Sequence, residues 1–286
     1  MHAAALALVV TAAITHAGWN VLAKRAQGGA VFVWLCAATG TALWAPAAIV
    51  VAVRSASTID VRAVPLLGVT ALLHTAYYVC LQAGYGRGDL SVVYPLARGT
   101  GALLAIAGAV IVLGERPTLV ALAGAAMIAV GVGGLAGPAP GRTRPPRAAG
   151  PVLAMATGAA IAVYTLWDAW LVTERAMPAL LLVWAADLGR VALLAPVVKR
   201  RSGEVAAIAR RFRREIVGVA LLAPVAYALV LLAMHVAPVT YVAPAREVSI
   251  LIGVAVGWRL LGEPDTARRL AAAAVVVAGM MLATIG

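Results

Sequence analysis

Tyr94-Pro95-Leu96-Ala97-Arg98 opens an apolar run that closes on Leu113-Gly114-Glu115, and 148 residues later the pattern returns. Ala97-Arg98 falls on Ala245-Arg246, and Leu113-Gly114-Glu115 falls on Leu261-Gly262-Glu263. The same offset lays His16-Ala17-Gly18-Trp19-Asn20 over Tyr164-Thr165-Leu166-Trp167-Asp168. An offset of 150 pairs Trp34 with Trp184, Pro46 with Pro196, Gly68-Val69 with Gly218-Val219 and Ala76-Tyr77 with Ala226-Tyr227. Loops absorb that small drift. Matches among Ala, Leu and Val carry little weight in so apolar a chain. Trp, Arg, Pro and Glu pairs in consistent order carry more, and they read as one unit written twice.

Around these pairs lie ten apolar runs of the length a helix needs to cross a bilayer. They fall near 3–22, 30–53, 64–86, 90–113, 118–136, 150–171, 179–198, 216–236, 238–258 and 267–285. The chain has 286 residues, 63% of them hydrophobic and 12% charged. A soluble domain is about 45–50% apolar even counting Gly, and about 25% charged. The composition excludes an ordinary cytosolic enzyme, a disordered protein and a DNA-binding domain. The net charge of +12 marks no nucleic-acid partner, because the basic residues sit between apolar runs instead of forming one surface. No strand period is present, which excludes a β-barrel. Cys36 and Cys80 lie inside apolar stretches and imply neither a disulfide framework nor a zinc site. No cofactor is expected.

Each half holds five runs, and an odd number makes the second half enter the membrane with opposite polarity. The expected fold is therefore an all-α polytopic membrane protein of ten transmembrane helices arranged as two inverted five-helix repeats. The first repeat is 1–137, a Pro/Gly/Arg linker follows at 138–149, and the second repeat is 150–286. Gly86-Arg87-Gly88-Asp89 joins spans 3 and 4 so tightly that the two read as antiparallel neighbours. Lys199 to Glu215 reads as a basic helix on a membrane surface, or as a solvated loop. The first span is expected not to be a cleaved signal, since no Lys or Arg precedes it and Lys24-Arg25 follow it. Of the 23 Lys and Arg, 16 fall in the loops after odd-numbered spans and 4 after even-numbered ones. That bias puts the odd loops in the cytoplasm and both termini outside, in a multi-pass protein of the cell (inner) membrane.

Tyr94-Pro95-Leu96-Ala97-Arg98 with Leu113-Gly114-Glu115 resembles the fourth helix of the drug/metabolite transporter superfamily, EamA type. Ala243-Pro244-Ala245-Arg246-Glu247 through Leu261-Gly262-Glu263 resembles the ninth. The resemblance covers essentially the whole chain, and it implies a ten-helix inner-membrane carrier with a central cavity, often an exporter of amino acids or other small metabolites. His16, Trp19, Asn20 and Lys24 together resemble a branch associated with phosphonate metabolism. Family members are often described with cytoplasmic termini, against the charge count.

A charge inside a span is a functional candidate by default. Arg98 lies about 12 Å into span 4 at 1.5 Å per residue, and Arg246 lies at matching depth in span 9. As substrate ligands, the two guanidiniums would hold an anionic group from two sides; as structural groups, they would pair with an acid such as Glu247. His16 and Asn20 share a face of span 1 with Trp19 close by, and Tyr164, Trp167 and Asp168 occupy the matching face of span 6. Tyr94, Tyr77 and Tyr227 complete the candidate substrate contacts. His16, Asp168 and Glu247 are the candidates for proton coupling. Hydrogen bonding between helices is the plainer role for His16, and an interfacial position the plainer one for Asp168. His74, Tyr77, Tyr78 and Gln82 form a polar cluster on span 3. Asp187 and Arg190 are three apart and cancel each other's charge, and Glu115 and Glu263 read as loop or capping residues.

These features point to a secondary transporter working by alternating access on small amino-acid-like, zwitterionic or anionic solutes. Its partners would be the lipid bilayer and a small-molecule substrate, with coupling to protons or a solute gradient. No phosphate-binding G-x-x-x-x-G-K-[ST] sequence is present to hydrolyse ATP. A lipid flippase or a channel is the alternative reading. A membrane-embedded enzyme is a third, for which no clustered carboxylates or metal ligands are spaced suitably.

Overall fold

The computed structural model describes residues 3–26, 28–55, 63–113, 117–136, 149–173, 175–236, 247–264 and 266–285. Eleven helices occupy them: α1 (Ala3–Arg25), α2 (Gly29–Arg54), α3 (Ala63–Tyr85), α4 (Leu90–Leu113), α5 (Leu119–Ala136) and α6 (Ala149–Thr173). Then follow α7 (Ala179–Arg200), α8 (Ser202–Arg211), α9 (Arg213–Val236), α10 (Ser249–Leu261) and α11 (Thr266–Ile285). No strand occurs among the described residues. An apolar helix stands at each expected run; the start of the ninth run and most of the 138–149 linker lie outside the described residues.

Five of the helices are long and apolar enough to cross a membrane: α2, α3, α4 up to Gly108, α6 up to Val172, and α7. Leu119–Leu135 and Ser249–Leu261 are apolar but shorter. The distribution of side chains is compatible with a protein wetted by lipid. Ile111 and Leu119 are 80% and 84% exposed, whereas Asn20, Asp168 and Arg190 are 0%, 1% and 3% exposed. In water, so much exposed apolar surface beside buried charge is the wrong way round. In a bilayer it is what the solvent demands.

The basic segment after α7 is helical. Arg201, just before α8, and Glu204 of α8 pair on its exposed side at 2.6 Å, and this hydrogen-bonded guanidinium holds the Glu204 carboxyl below its ordinary range.

Sequence neighbours are not the main packing partners. The tightly joined α3 and α4 touch little; α3 packs on α6 and α7, and α4 on α6 and α5. The most extensive pairings are α5 with α11, α1 with α9, α4 with α6, and, equally, α2 with α7 and α3 with α6. In the α2–α7 pair, Trp34 Nε1 donates to the Val191 carbonyl at 3.0 Å and Trp184 Nε1 donates to the Thr41 carbonyl at 2.9 Å. In the α5–α11 pair a Cβ on Gly131 would meet the Ala272 carbonyl at 2.8 Å, and one on Gly279 would meet the Gly124 carbonyl at 2.7 Å. Only glycine lets these backbones approach so closely. Pro224 inside α9 cannot donate to the carbonyl of Ala220 four residues back, and Trp44 Nε1 takes that acceptor at 3.1 Å.

One end of the bundle is tied by polar groups. Gly262 ends α10 at φ 66°, a left-handed turn that suits glycine and folds Glu263 back over the helix. The buried Glu263 carboxylate then accepts from the amides of Leu90 and Ser91 at 2.6 and 2.8 Å, capping α4. Arg269 of α11 donates to Ser91 Oγ at 2.5 Å and to Asp89 at 2.7 Å, and Lys24 of α1 donates to the carbonyls of Tyr85 and Gly88 at 2.6 and 2.5 Å. Five helices, α1, α3, α4, α10 and α11, are thereby held together at their ends.

Candidate functional site

A cavity of about 90 Å³ lies between α1, α2, α3, α6, α7 and α9. At roughly 30 Å³ per water it is the room of about three waters. Trp19, Tyr77, Tyr78, Tyr164 and Tyr227 supply aromatic wall, and His16, His74, Asp187 and Arg190 supply the polar groups. Asp187 and Arg190 are one turn apart on α7, and Arg190 Nη1 donates to Asp187 Oδ1 at 2.6 Å. The Arg190 guanidinium also lies over the Tyr78 ring, 4.0 Å from its centroid. On the facing helix α2, a Cβ at residue 40 would come within 2.8 Å of Asp187 Oδ2, so Gly40 makes room for that carboxylate.

Beside the cavity a second charged group joins the two halves of the chain. Arg98 of α4 donates through Nη1 to both oxygens of Glu247, at 2.8 and 3.0 Å, and through Nη2 to His16 Nε2. A guanidinium has no acceptor, so in this contact His16 Nε2 is the acceptor. Tyr94 stacks on His16 at 6.1 Å and shares a hydrogen bond with Ser249 at 2.8 Å. Arg98 is thus an interhelical tie with a fixed acid. Arg246 lies outside the described residues.

Asp168 is well inside the protein. It accepts from His74 Nε2 at 2.6 Å and from Thr70 Oγ1 at 3.2 Å, and Trp167 Nε1 donates to the same Thr70 hydroxyl at 3.0 Å. His74 in turn lies against the Tyr164 ring at 4.4 Å, which connects Asp168 to the cavity wall. Asn20 is fully buried, donating to the His16 carbonyl at 2.7 Å and accepting from the Tyr85 hydroxyl at 2.5 Å.

Of the residues singled out in the sequence, His16, Trp19, Tyr77, Tyr164 and Tyr227 line the cavity. Asn20, Tyr94, Arg98, Trp167, Asp168 and Glu247 stand behind or beside it and hold the helices that form it. Asp187 and Arg190 pair as expected, yet they also line the cavity, which a reading of mutual cancellation missed. The available signal was two charges inside one apolar run. His74, too, enters the cavity wall. Among the described residues no group of three His, Cys, Asp or Glu comes together to hold a metal ion.

No family model matches the chain, and no curated protein matches it. Among solved structures it is similar to one described only as "Crystal structure of protein", at 21% identity and a TM-score of 0.55. That likeness covers 100% of this chain and 99% of the other, so the whole helical arrangement is a fold seen elsewhere.

Proposed function

We propose that the chain is a ten-span carrier of small zwitterionic or anionic metabolites, working by alternating access between two inverted five-helix repeats. Export is its proposed direction, and the drug/metabolite transporter type is the family reading that accompanies it. The observation that carries the proposal is the reciprocity of the helix contacts. Exchanging each helix of the first half for its counterpart turns Trp34-to-Val191 into Trp184-to-Thr41, and Gly131-on-Ala272 into Gly279-on-Gly124. The pairings α1–α9 and α3–α6 exchange likewise, as do α3–α7 with α2–α9 and α4–α5 with α10–α11. Equivalent helices that pack antiparallel are related by a two-fold axis perpendicular to them. For helices crossing a bilayer that axis lies in the membrane plane, the symmetry of an inverted repeat. The cavity lies among these reciprocal pairs, and one end of the bundle is tied by Lys24, Asp89, Glu263 and Arg269.

Counterflow in proteoliposomes tests the reading. Unlabelled amino acids or organic acids loaded inside are expected to accelerate entry of the same labelled solute, because one site alternates between the two faces. Entry that ignores the trans solute for every member of the panel would mean a channel, and no entry at all would remove the carrier reading.

A further inference from the structure

We propose that the groove between α8 and the start of α2 binds the headgroup of an anionic phospholipid, with its phosphodiester held between Arg201 and Arg211. The site is separate from the central cavity. It rests on the membrane reading of the chain and not on transport.

The groove has a volume of about 450 Å³. At roughly 30 Å³ per water it is the room of about fifteen waters. Gly28 and Gly29 form one side, and Arg201, Ile208, Arg211 and Phe212 stand on the other. Phe212 in the groove and Phe32 in the wall of the central cavity meet edge to face at 6.4 Å, so one pair of rings separates the two spaces.

The two arginines are presented differently. Arg201 donates to Glu204 through Nε and Nη2 at 2.7 and 2.6 Å, which fixes the guanidinium. Its Nη1 is left turned to Gly29, 3.9 Å from where a Cβ would stand there. Arg211 makes no ion pair among the described residues and lies over the Phe212 ring, 5.2 Å from its centroid. Two guanidiniums against one carboxylate leave the lining with one positive charge. A phosphodiester cancels it and offers two oxygens to the two forks. Around the groove Lys199, Arg200, Arg210, Arg213 and Arg214 are exposed, and none pairs with an acid among the described residues. Like charges crowded together repel one another, and an anionic lipid surface attracts each at about 1 kcal/mol.

Depth decides between a lipid headgroup and a free phosphate. Val197 of α7 and Val217 of α9 are each 41% exposed, so the apolar outer surface of both helices reaches almost to the groove. Arg201 follows Val197 by four residues, about 6 Å at 1.5 Å per residue. The headgroup layer adds about 5–7 Å to the hydrocarbon on each side of a bilayer. Ile208 and Phe212, packed against the core, give the groove an apolar floor that suits the glycerol of a lipid and is wasted on a free phosphate.

In intact-mass spectra of the purified full chain in detergent, bound lipid is counted as phosphatidylglycerol or phosphatidylcholine is titrated in. Phosphatidylglycerol is expected to bind about tenfold more tightly, which is about 1.4 kcal/mol. Inorganic phosphate, with ionic strength matched by chloride, is expected not to displace it. Arg201→Gln and Arg211→Gln are each expected to remove most of the preference. Arg210→Gln takes the same charge from α8 outside the groove and is expected to weaken binding far less, and Arg54→Gln at the far end of α2 to leave it unchanged. Both groove arginines are exposed, where a lost pair costs little stability; if one variant does not fold, the other decides. Equal binding of phosphatidylcholine, or displacement by inorganic phosphate, would overturn the headgroup assignment. Equal losses in Arg210→Gln and Arg211→Gln would overturn the groove and leave a diffuse basic surface in its place. Counterflow tests the carrier reading separately, so either can fail without the other.

Discussion

Arg98 shows how much a residue's role depends on what meets it in space. From the sequence, a guanidinium inside an apolar run is a ligand for an anion or half of an ion pair. The fold brings Glu247 to it from 149 positions away, at 2.8 Å. Breaking a buried ion pair by removing one member costs about 3–5 kcal/mol, whereas removing both is far milder. Arg98→Leu is therefore expected to lower the unfolding midpoint sharply, and Arg98→Leu combined with Glu247→Leu to recover most of the loss. Additive losses in thermal unfolding would show that the pair contributes nothing as a unit. His16 belongs to the same group, since its Nε2 accepts from Arg98. A protonated imidazole would turn donor against donor, so this contact is made only by neutral His16. Asp187 and Arg190 carry the opposite lesson. Their spacing already announces a pair, but nothing in the spacing says that the pair faces a cavity.

At the scale of elements the sequence was most informative where the bilayer does the selecting. The apolar runs mark α1 to α7, α9 and α11, and their bounds agree with the helices within three residues. Lipid requires every backbone group to be satisfied within its own segment, so an apolar run of that length has one outcome, a helix. Contacts between helices were legible only through the repeat. The pairing of Trp34 with Trp184 was visible as an offset of 150, and it becomes two reciprocal hydrogen bonds between α2 and α7. The tight connection from Gly86 to Asp89 suggested that α3 and α4 are antiparallel neighbours, yet they touch little. A short turn fixes only the helix ends, and side-chain packing fixes the rest. Trp34→Phe and Trp184→Phe each remove one hydrogen bond to a carbonyl, and each is expected to cost about 1 kcal/mol. Near-equal midpoint losses check the equivalence of the two halves; a large loss in one alone would contradict it. Gly131→Leu and Gly279→Leu both push a side chain into a backbone carbonyl of the facing helix. Both are expected to prevent α5 and α11 from packing, read as loss of monodisperse protein.

For the whole molecule, the charge bias proposes that the ends of α1, α3, α5, α7 and α10 face the cytoplasm. Arg211→Cys, in a background lacking Cys36 and Cys80, is expected to be shielded from an impermeant thiol reagent in intact cells. Labelling from outside would reverse the orientation. The central claim is that one cavity opens to the two faces in turn, and Cys36 reports on it directly, because it lines that cavity and is only 7% exposed. With Cys80→Ser, Cys36 is the sole thiol, and its labelling rate is measured in right-side-out and inside-out vesicles. The account predicts reaction from both faces. It further predicts that Glu263→Gln, which loosens the tied end, raises the rate from the face where α10 ends and lowers it from the other. Reaction from one face alone, or rates that rise together on both, would contradict alternating access.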